Sequence, residues 1–577
     1  MHYQAPERDA AFLMFELFKA QDIWSQIPAF KDFSEDLASA VIAEGGRIAA
    51  EVMLPTNAPG DSLGCTWQDG DVTTPEVFKA AYRELSEGGW LGLAGNPAYG
   101  GQGMPKMLAC LVEEMLWSGN ASLYLYGTLT VGACLCIDAH GTPEQKQRYL
   151  PNLYAGRWTG AMALTESHAG TDLGIMRSKA EPNADGSYAI TGTKIFITGG
   201  EHDLVENIIH LVLAKLPGAP AGTKGISLFI VPKFLVNDDG SPGERNAWAS
   251  GSIEHKMGIR GSATSVINYD GATGYLLGEE NRGLAAMFTM MNYERLSIGL
   301  QGLGAGELAY QLSAAYAKDR LQGRAPAGAQ NPEGPADSLL VHPDVRRMLM
   351  TQRAYNEAGR AFALYVGLLL DKGKYGDDAD AHARSELLTP VAKAYFSDRG
   401  FDGAVMAQQV FGGHGYVQEW GVEQVVRDAR IAQIYEGTNG VQALDLIGRK
   451  VLRDGGVTLR KFIDDMGQSE VAEAHQADLL EALDRLVRVT GSVIERSVDD
   501  ANLPGAVSTD FLELFGLTIY AWLWARMAQA APADDFGDAK RVTARFFFNR
   551  ILPVSVGLEQ SILSASDAVM GLKPEQF

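Results

Sequence analysis

Met162-Ala163-Leu164-Thr165-Glu166-Ser167-His168-Ala169-Gly170-Thr171-Asp172-Leu173-Gly174 stands where the chain changes its hydrophobic period. Upstream of it, residues 9–18, 76–87, 105–117 and 143–154 carry apolar side chains at helical spacing. Downstream, Ser187-Tyr188-Ala189-Ile190-Thr191 and Lys194-Ile195-Phe196-Ile197-Thr198 alternate or are β-branched, and Ile208–Leu216 and Gly225–Phe234 are apolar runs of strand length bounded by Gly, Pro and Asp. These read together as a small antiparallel β domain. The quoted stretch is rich in small and hydroxyl residues, which let backbone amides come close to an anion or a flat ring.

Further out, the Gly/Pro patch from Gly92 to Gly103 separates two of the N-terminal helices as a loop. Helical spacing returns from about 280 to 450, broken by a Gly-, Pro- and Ala-rich loop at Gln322–Ser338 whose length predicts an exposed excursion. Beyond Gly455 helical stripes run to about 570, including Leu479–Val487 and Phe511–Ala528. The chain is therefore expected to be mainly α with a central β domain. Its expected division is 1–160 helical, 161–280 β, 281–455 a helical bundle, and 456–577 an extra helical domain. A length of 577 residues exceeds what one core serves.

The 49 basic and 71 acidic residues leave a net charge of -22, which disfavours nucleic acid and anionic membranes as partners. An anionic substrate then needs a local basic or backbone-amide site. The four cysteines, Cys65, Cys110, Cys134 and Cys136, come with no histidine cluster to complete a metal site and read as buried thiols in a reducing compartment. Met1-His2-Tyr3-Gln4 opens without a basic and then apolar run, so no secretory leader is expected. No run is read as approaching the roughly 20 apolar residues of a membrane span. A cytoplasmic protein with no integral membrane segment is the expectation.

Two further segments carry chemistry. In Gly192-Thr193-Lys194-Ile195-Phe196-Ile197-Thr198-Gly199-Gly200 an aromatic ring and a hydroxyl two residues on share one side of a strand. The other is Gln409-Val410-Phe411-Gly412-Gly413-His414-Gly415-Tyr416, followed by Arg427 to Gly440 with Tyr435-Glu436-Gly437-Thr438 inside it. Singly, these read as a structural turn, an ordinary strand and a helix-end acid. In this order, across this series of domains, they resemble the acyl-CoA dehydrogenase family over nearly all of residues 1–450. The first segment is similar to the family's Thr-Glu-Pro-x-x-Gly-Ser-Asp motif, with Ser167 for Pro and Thr171 for Ser; the second is similar to its Trp-Ile-Thr motif, with Phe196 for Trp. Pro97-Ala98-Tyr99-Gly100-Gly101 and Met257-Gly258-Ile259-Arg260 add to the likeness. Tyr3-Gln4-Ala5-Pro6-Glu7-Arg8-Asp9 and the C-terminal extension resemble a bacterial long-form subgroup that includes 3-methylmercaptopropionyl-CoA dehydrogenases.

The resemblance implies FAD held between the β domain and the following bundle. Met162, Leu164 and Thr165 would line the flavin, Phe196 and Ile197 would lie against it, and Thr198 would hydrogen-bond near N5. Thr171 would serve the pyrophosphate and the thioester end of CoA. Arg320 is similar to the family's FAD-binding arginine, although the Phe-Gly that usually follows is Leu321-Gln322-Gly323 here. Gln409, Gly412 and Gly413 would reach the FAD of a neighbouring subunit in a homodimer or larger homo-oligomer, and Thr438 would bind the same cofactor. Asn292, Arg295 and Gly437 would contact substrate; the bland reading of Arg295 is an ion pair with a nearby acid.

Two carboxylates compete as base, Glu436 in the Tyr-Glu-Gly-Thr motif and Glu294 as runner-up immediately before Arg295. A carboxylate in an apolar pocket has its pKa raised toward working pH and can take an α-proton while the β-hydride leaves to flavin. The family also draws hydrogen bonds to the thioester carbonyl from the flavin ribityl hydroxyl and the base's own amide. The implied reaction is α,β-dehydrogenation of an acyl-CoA, on 3-methylmercaptopropionyl-CoA by subgroup or on medium and long straight chains. Electron-transfer flavoprotein is the implied acceptor. An oxidase or monooxygenase on the same fold, and a non-catalytic acyl-CoA-binding module, stand as alternatives.

Overall fold

The computed structural model describes the whole chain, Met1–Phe577. It forms two compact units, each discontinuous in sequence. One is made of Arg47–Met104 and Gly119–Glu294, the other of Met1–Gly46, Pro105–Ser118 and Arg295–Phe577.

The first unit is built on a seven-stranded sheet: β1 (Trp158–Ala163), β2 (Lys179–Pro182), β3 (Tyr188–Thr198), β4 (Asn207–Lys215), β5 (Ile226–Pro232), β6 (Trp248–Ile253) and β7 (Thr264–Leu276). The order is β6-β7-β3-β2-β4-β1, and β5 pairs with both β7 and β4. The path β7-β3-β2-β4-β5 therefore returns to β7 and closes a small barrel, which removes the open edges those strands would otherwise present. Most pairings are antiparallel, but β1 runs parallel to β4 from Trp158↔Asn207 to Ala163↔Val212, and β2 meets β4 in parallel at Lys179↔Lys215. The purely antiparallel expectation needs that amendment. Alternation within one strand does not encode the direction of a partner more than forty residues away. The long apolar reading of β4 and β5 has a plain cause: β5 is buried along its whole length and β4 as far as Ala214.

The Ala121–His140 helix lies across β1. A Cβ on Gly160 would stand 2.4 Å from Ala133 Cβ, and the Gly160 amide donates to Thr130 Oγ1 at 3.1 Å, so this crossing requires glycine. The helix also corrects an expectation: it is long and apolar enough, by composition, to cross a membrane. In the folded chain 78% of its most apolar window is buried by protein, so its hydrophobicity serves a core. Cys134 and Cys136 belong to that core.

In the second unit the Pro343–Tyr375 and Ala379–Phe411 helices form an antiparallel pair, the second capped by Asp378 accepting from the Ala381 amide. The Leu503–Ala530 helix buries Phe515, Ile519, Leu523 and Trp524 completely, with the Trp524 indole donating to Ala354 O at 3.0 Å. The apolar C-terminal stretch thus packs inward. Gly455 and Gly456 take positive φ, +63° and +73°, and end the bundle before the next helix starts at Val457.

Buried charges tie the N-terminal segment into this unit. Arg360 is paired with Asp9 (2.5 Å), Glu114 (2.5 Å) and Glu307 (3.0 Å), and Lys540 with Asp9 and with Glu357 (2.7 Å). The side-chain amide of Gln311 bonds both the Gln4 N–H and the Gln4 carbonyl at 2.8 Å, as a neighbouring strand would. The loop at 322–338 is largely exposed but ordered around one acid. Asp337 accepts from the amides of Ala325, Gln330 and Asn331, and these backbone donors with Arg324 hold its carboxyl down to about 2.

Candidate active site

The two groups of motif residues lie in different units. In the sheet unit, β3 carries a bulge opposite β7: Ser265 faces Ile197 and Ile267 faces Lys194, so Ile195 and Phe196 together oppose Val266. Phe196 adopts φ +60°, a left-handed conformation that costs a side-chain-bearing residue on the order of 1–2 kcal/mol. The bulge turns the Ile195 amide off the ladder, and it donates instead to Thr165 O at 2.9 Å. It also turns the Phe196 ring outward, 58% exposed, while Ile197 stays in the barrel core. Phe196 can therefore offer a ring face, and Ile197 can offer only backbone.

Lys194 and Glu166 fix the quoted stretch against that bulge. The Lys194 ammonium has no exposure and donates to Leu164 O at 2.9 Å and to Glu166 Oε1 at 3.0 Å. Glu166 also accepts from the Arg177 amide at 2.7 Å, the Ser178 amide at 3.0 Å and the Ser178 hydroxyl at 2.6 Å. Burial alone would raise the Glu166 carboxyl, yet Lys194 and the Ser178 donors hold it down to about 2; burial takes Lys194 down to about 8 against the pull of Glu166. Leu164 and half-buried Met162 pack in the core beneath, Thr165 is half-buried, and Thr171 is exposed beside the Asp172-capped turn.

Beside Ile197 and Thr198, the buried hydroxyls of Ser262, Thr264 and Ser265 have no hydrogen-bond partner, and Thr264 and Ser265 pair directly with those two residues. An outward aromatic face next to unfulfilled hydroxyls suits a planar ring system edged with polar atoms. The residues fit a flavin.

In the helical unit, Tyr435-Glu436-Gly437-Thr438 is a tight turn between the 3-10 turn Ile431–Gln433 and the Asn439–Asp445 helix. Glu436 takes φ +56° and Gly437 φ +82°. Thr438 caps the helix by accepting from the Val441 amide at 3.3 Å. Gln442 donates to Glu436 O at 3.1 Å and Gly437 O at 3.3 Å, and the Tyr435 hydroxyl donates to Gln301 Oε1 at 2.5 Å. Fully buried Lys393 donates to Gly437 O and to Asn439 Oδ1, both at 2.8 Å. Asn439 in turn donates to Asp398 at 2.7 Å and Ser397 at 3.0 Å. Glu436 itself is partly buried. Burial pushes its carboxyl up to about 7, with Lys393 and Arg295 opposing the rise.

Arg295 lies 3.7 Å from Asp445, so the ion pair of its bland reading is present. Glu294 has no exposed surface, and a Cβ on Gly132 would stand 2.5 Å from its Oε1. Asn292 is exposed on the same long helix, Gly283–Asp319. Arg320 is exposed just past that helix, its carbonyl accepting from Leu339 N at 2.9 Å. Gln409, Gly412 and Gly413 are exposed at the end of the Ala379–Phe411 helix, which Gly412 terminates at φ +60°.

Sequence reasoning did not assign roles to Lys194, Glu166, Lys393, Asn439 or Gln442. One signal was available for Lys393: it is a lone cation inside Val391-Ala392-Lys393-Ala394-Tyr395-Phe396, and a lysine at a buried helical position must find partners.

Four family models match the chain: "Acyl-CoA dehydrogenase, N-terminal domain" at 66–157, "Acyl-CoA dehydrogenase, middle domain" at 161–272, "Acyl-CoA dehydrogenase, C-terminal domain" at 281–452, and "Acetyl-CoA dehydrogenase C-terminal like" at 457–573. The chain is 41% identical to a 3-methylmercaptopropionyl-CoA dehydrogenase of Ruegeria pomeroyi over 99% of both sequences. It is 33% identical to a broad-specificity linear acyl-CoA dehydrogenase of Mycobacterium tuberculosis over 100% of both. Among solved structures, an acyl-CoA dehydrogenase from Bacillus anthracis complexed with FAD superposes with a TM-score of 0.74 at 20% identity, covering 96% of this chain and 91% of that one.

Proposed function

Because the chain belongs to the acyl-CoA dehydrogenase family, we propose that it oxidises 3-methylmercaptopropionyl-CoA to 3-methylthioacryloyl-CoA with Glu436 as the base. It is an oxidoreductase and an FAD flavoprotein. Bound FAD supplies the acceptor for the β-hydride. In this reading Phe196 and Thr198 orient the flavin, and the Glu436 carboxylate takes the α-proton of the thioester. The backbone amide of Glu436 hydrogen-bonds the thioester carbonyl as enolate charge develops, an interaction strongest in the transition state. Loss of one proton and one hydride leaves the enoyl-CoA, and an electron-transfer flavoprotein would carry the two electrons away. A homodimer is part of the same reading, with Gln409, Gly412 and Gly413 as its cofactor-contacting edge.

The observation that carries the choice of base is the setting of Glu436, a carboxylate raised to about 7 in a strained turn with part of its surface open. Glu294 has no exposed surface. The choice of acyl group rests on the 41% identity to the Ruegeria protein. The Mycobacterium relative favours a second reading, a broad range of linear acyl groups.

Anaerobic titration of the holoenzyme with a panel of acyl-CoAs, followed through the visible flavin band, tests both. Bleaching by 3-methylmercaptopropionyl-CoA at lower concentration than by straight chains supports the first reading, and equal bleaching by linear chains supports the second. Glu436→Gln should keep its flavin colour and slow bleaching by about 10²–10⁴. Retained bleaching there, with loss in Glu294→Gln, would move the role to Glu294.

A further inference from the structure

We propose that Lys393 is the positioning residue of the base: its buried ammonium locks the carbonyl of Gly437 and the side chain of Asn439, holds the left-handed turn at Glu436, and supplies the counter-charge to the Glu436 carboxylate. The inference rests on Glu436 being the base. Lys393 lies 43 residues before Glu436 on the Ala379–Phe411 helix and has no exposed surface. A buried ammonium needs acceptors for its protons, and the two it has both belong to the turn that carries Glu436, Gly437 O and Asn439 Oδ1, each at 2.8 Å.

The far side of that turn is anchored as well. Asn439 is held by Asp398, Ser397 and Ala394 O, and Asp398 accepts from Gln433 at 2.7 Å. The turn is therefore bonded to one helix through Lys393 and Asn439 and to the following helix through Gln442. Strain at a non-glycine residue of positive φ persists only where surroundings over-determine it, and these bonds are what over-determine Glu436. The charged groups around Glu436 are Lys393 from the Ala379–Phe411 helix and Arg295 from the Gly283–Asp319 helix. Behind them stand Asp398, and Asp445, which is shared between Arg295 and Arg449. Asp445 draws off part of the Arg295 charge, so Lys393 is the cation whose removal leaves the Glu436 carboxylate least compensated. Burial and Arg295 lower Lys393 itself, to about 7, while Glu436 and Asp398 support its charge.

The test compares wild type with Lys393→Met, Lys393→Arg and Asn439→Ala holoenzymes, by single-turnover flavin bleaching from pH 5.5 to 9.5 and by thermal unfolding. Loss of the cation should move the acid limb of the Lys393→Met rate profile upward by about one pH unit or more, cutting the rate about fivefold or more at pH 7 with recovery at high pH. Lys393→Arg should bring the limb back toward wild type. Asn439→Ala keeps the charge and should lower the bleaching rate while leaving the limb in place. At pH 7, where the ammonium and the carboxylate can both be charged, the fall in unfolding temperature caused by Lys393→Met should be larger with Glu436 present than in a Glu436→Gln background, because only the former leaves a bare carboxylate. Coincident acid limbs, or additive temperature changes, would overturn the proposal. Failure of the wild-type flavin to bleach with any thioester would instead overturn the dehydrogenase reading. If Lys393→Met does not fold, Lys393→Arg and Asn439→Ala decide: a displaced limb in Asn439→Ala, or an unmoved rate, also sinks it.

Discussion

Lys194 and Glu166, 28 residues apart, meet at 3.0 Å with almost no solvent on either side chain. The same ammonium holds Leu164 O, so one buried ion pair registers the Leu164–Glu166 backbone against the bulge that turns Phe196 outward. In the proposed reading the pair supports the surface that Phe196 offers to the flavin. Removing one partner leaves the other charge buried and uncompensated.

Lys194→Met should cost about 3–5 kcal/mol of stability and release FAD more readily. Urea unfolding and the flavin retained after gel filtration would check both. Full flavin retention with unchanged unfolding would remove the pair from this role.

Acid should act on the same pair. The folded Glu166 carboxyl sits near 2, below its unfolded value, so its contribution is fully present above about pH 4.5 and is lost as pH falls toward 2. In Glu166→Gln, the loss of unfolding free energy between pH 4.5 and 2.5 should be shallower than in wild type. Parallel curves would contradict the assignment.

The rate of flavin reduction should rise with pH through about 7, because the folded Glu436 carboxyl is raised to that value by burial and only its ionised form accepts the α-proton. A rate that is flat from pH 5.5 to 8.5, with chemistry shown to be limiting by a substrate α-deuterium effect, would place the base elsewhere.

Lys540→Met should loosen the chain's beginning, since Lys540 is shared by Asp9 and Glu357 in the interior. The expected cost is about 3–5 kcal/mol, with faster proteolysis within residues 1–20 seen by mass spectrometry. Unchanged cleavage would show that Arg360 alone holds Asp9.

Gly400→Ala should be among the most damaging methyl additions. Its Cβ would stand 1.9 Å from Gly302 O, a backbone atom of the crossing helix, and overpacking of this kind costs about 1–3 kcal/mol or more. Thermal unfolding reads the effect, and a change in the unfolding temperature of less than a degree would mean the two helices separate freely.

Much of the architecture was legible from local pattern. The helical spacing at 143–154 corresponds to a helix at Pro143–Tyr154 with a Thr142/Gln145 capping box, and the apolar run from 208 corresponds to β4. The positions of Thr165, Phe196, Thr198 and Glu436 were legible because their motifs are contiguous. Lys194 and Lys393 sat inside quoted or neighbouring segments, yet their roles depend on partners at Glu166, Gly437 and Asn439 that no local period links to them. The Ala121–His140 helix was missed as a membrane-length segment because its apolar residues are interspersed with Gly, Thr, Ser and Tyr.

The sequence by itself determined where helices and strands form, where glycine must turn the chain, and which short motifs resemble those of the family. These follow from side-chain period and backbone freedom, which act over a few residues. Only the tertiary structure decided that β1 and β4 run parallel, that Phe196 faces out while Ile197 faces in, that Glu294 is sealed while Glu436 is partly open, and that Asp9 meets Lys540 across 531 residues. The reason is that burial, desolvation and charge pairing depend on distance in space, and the chain sets that distance only when it folds.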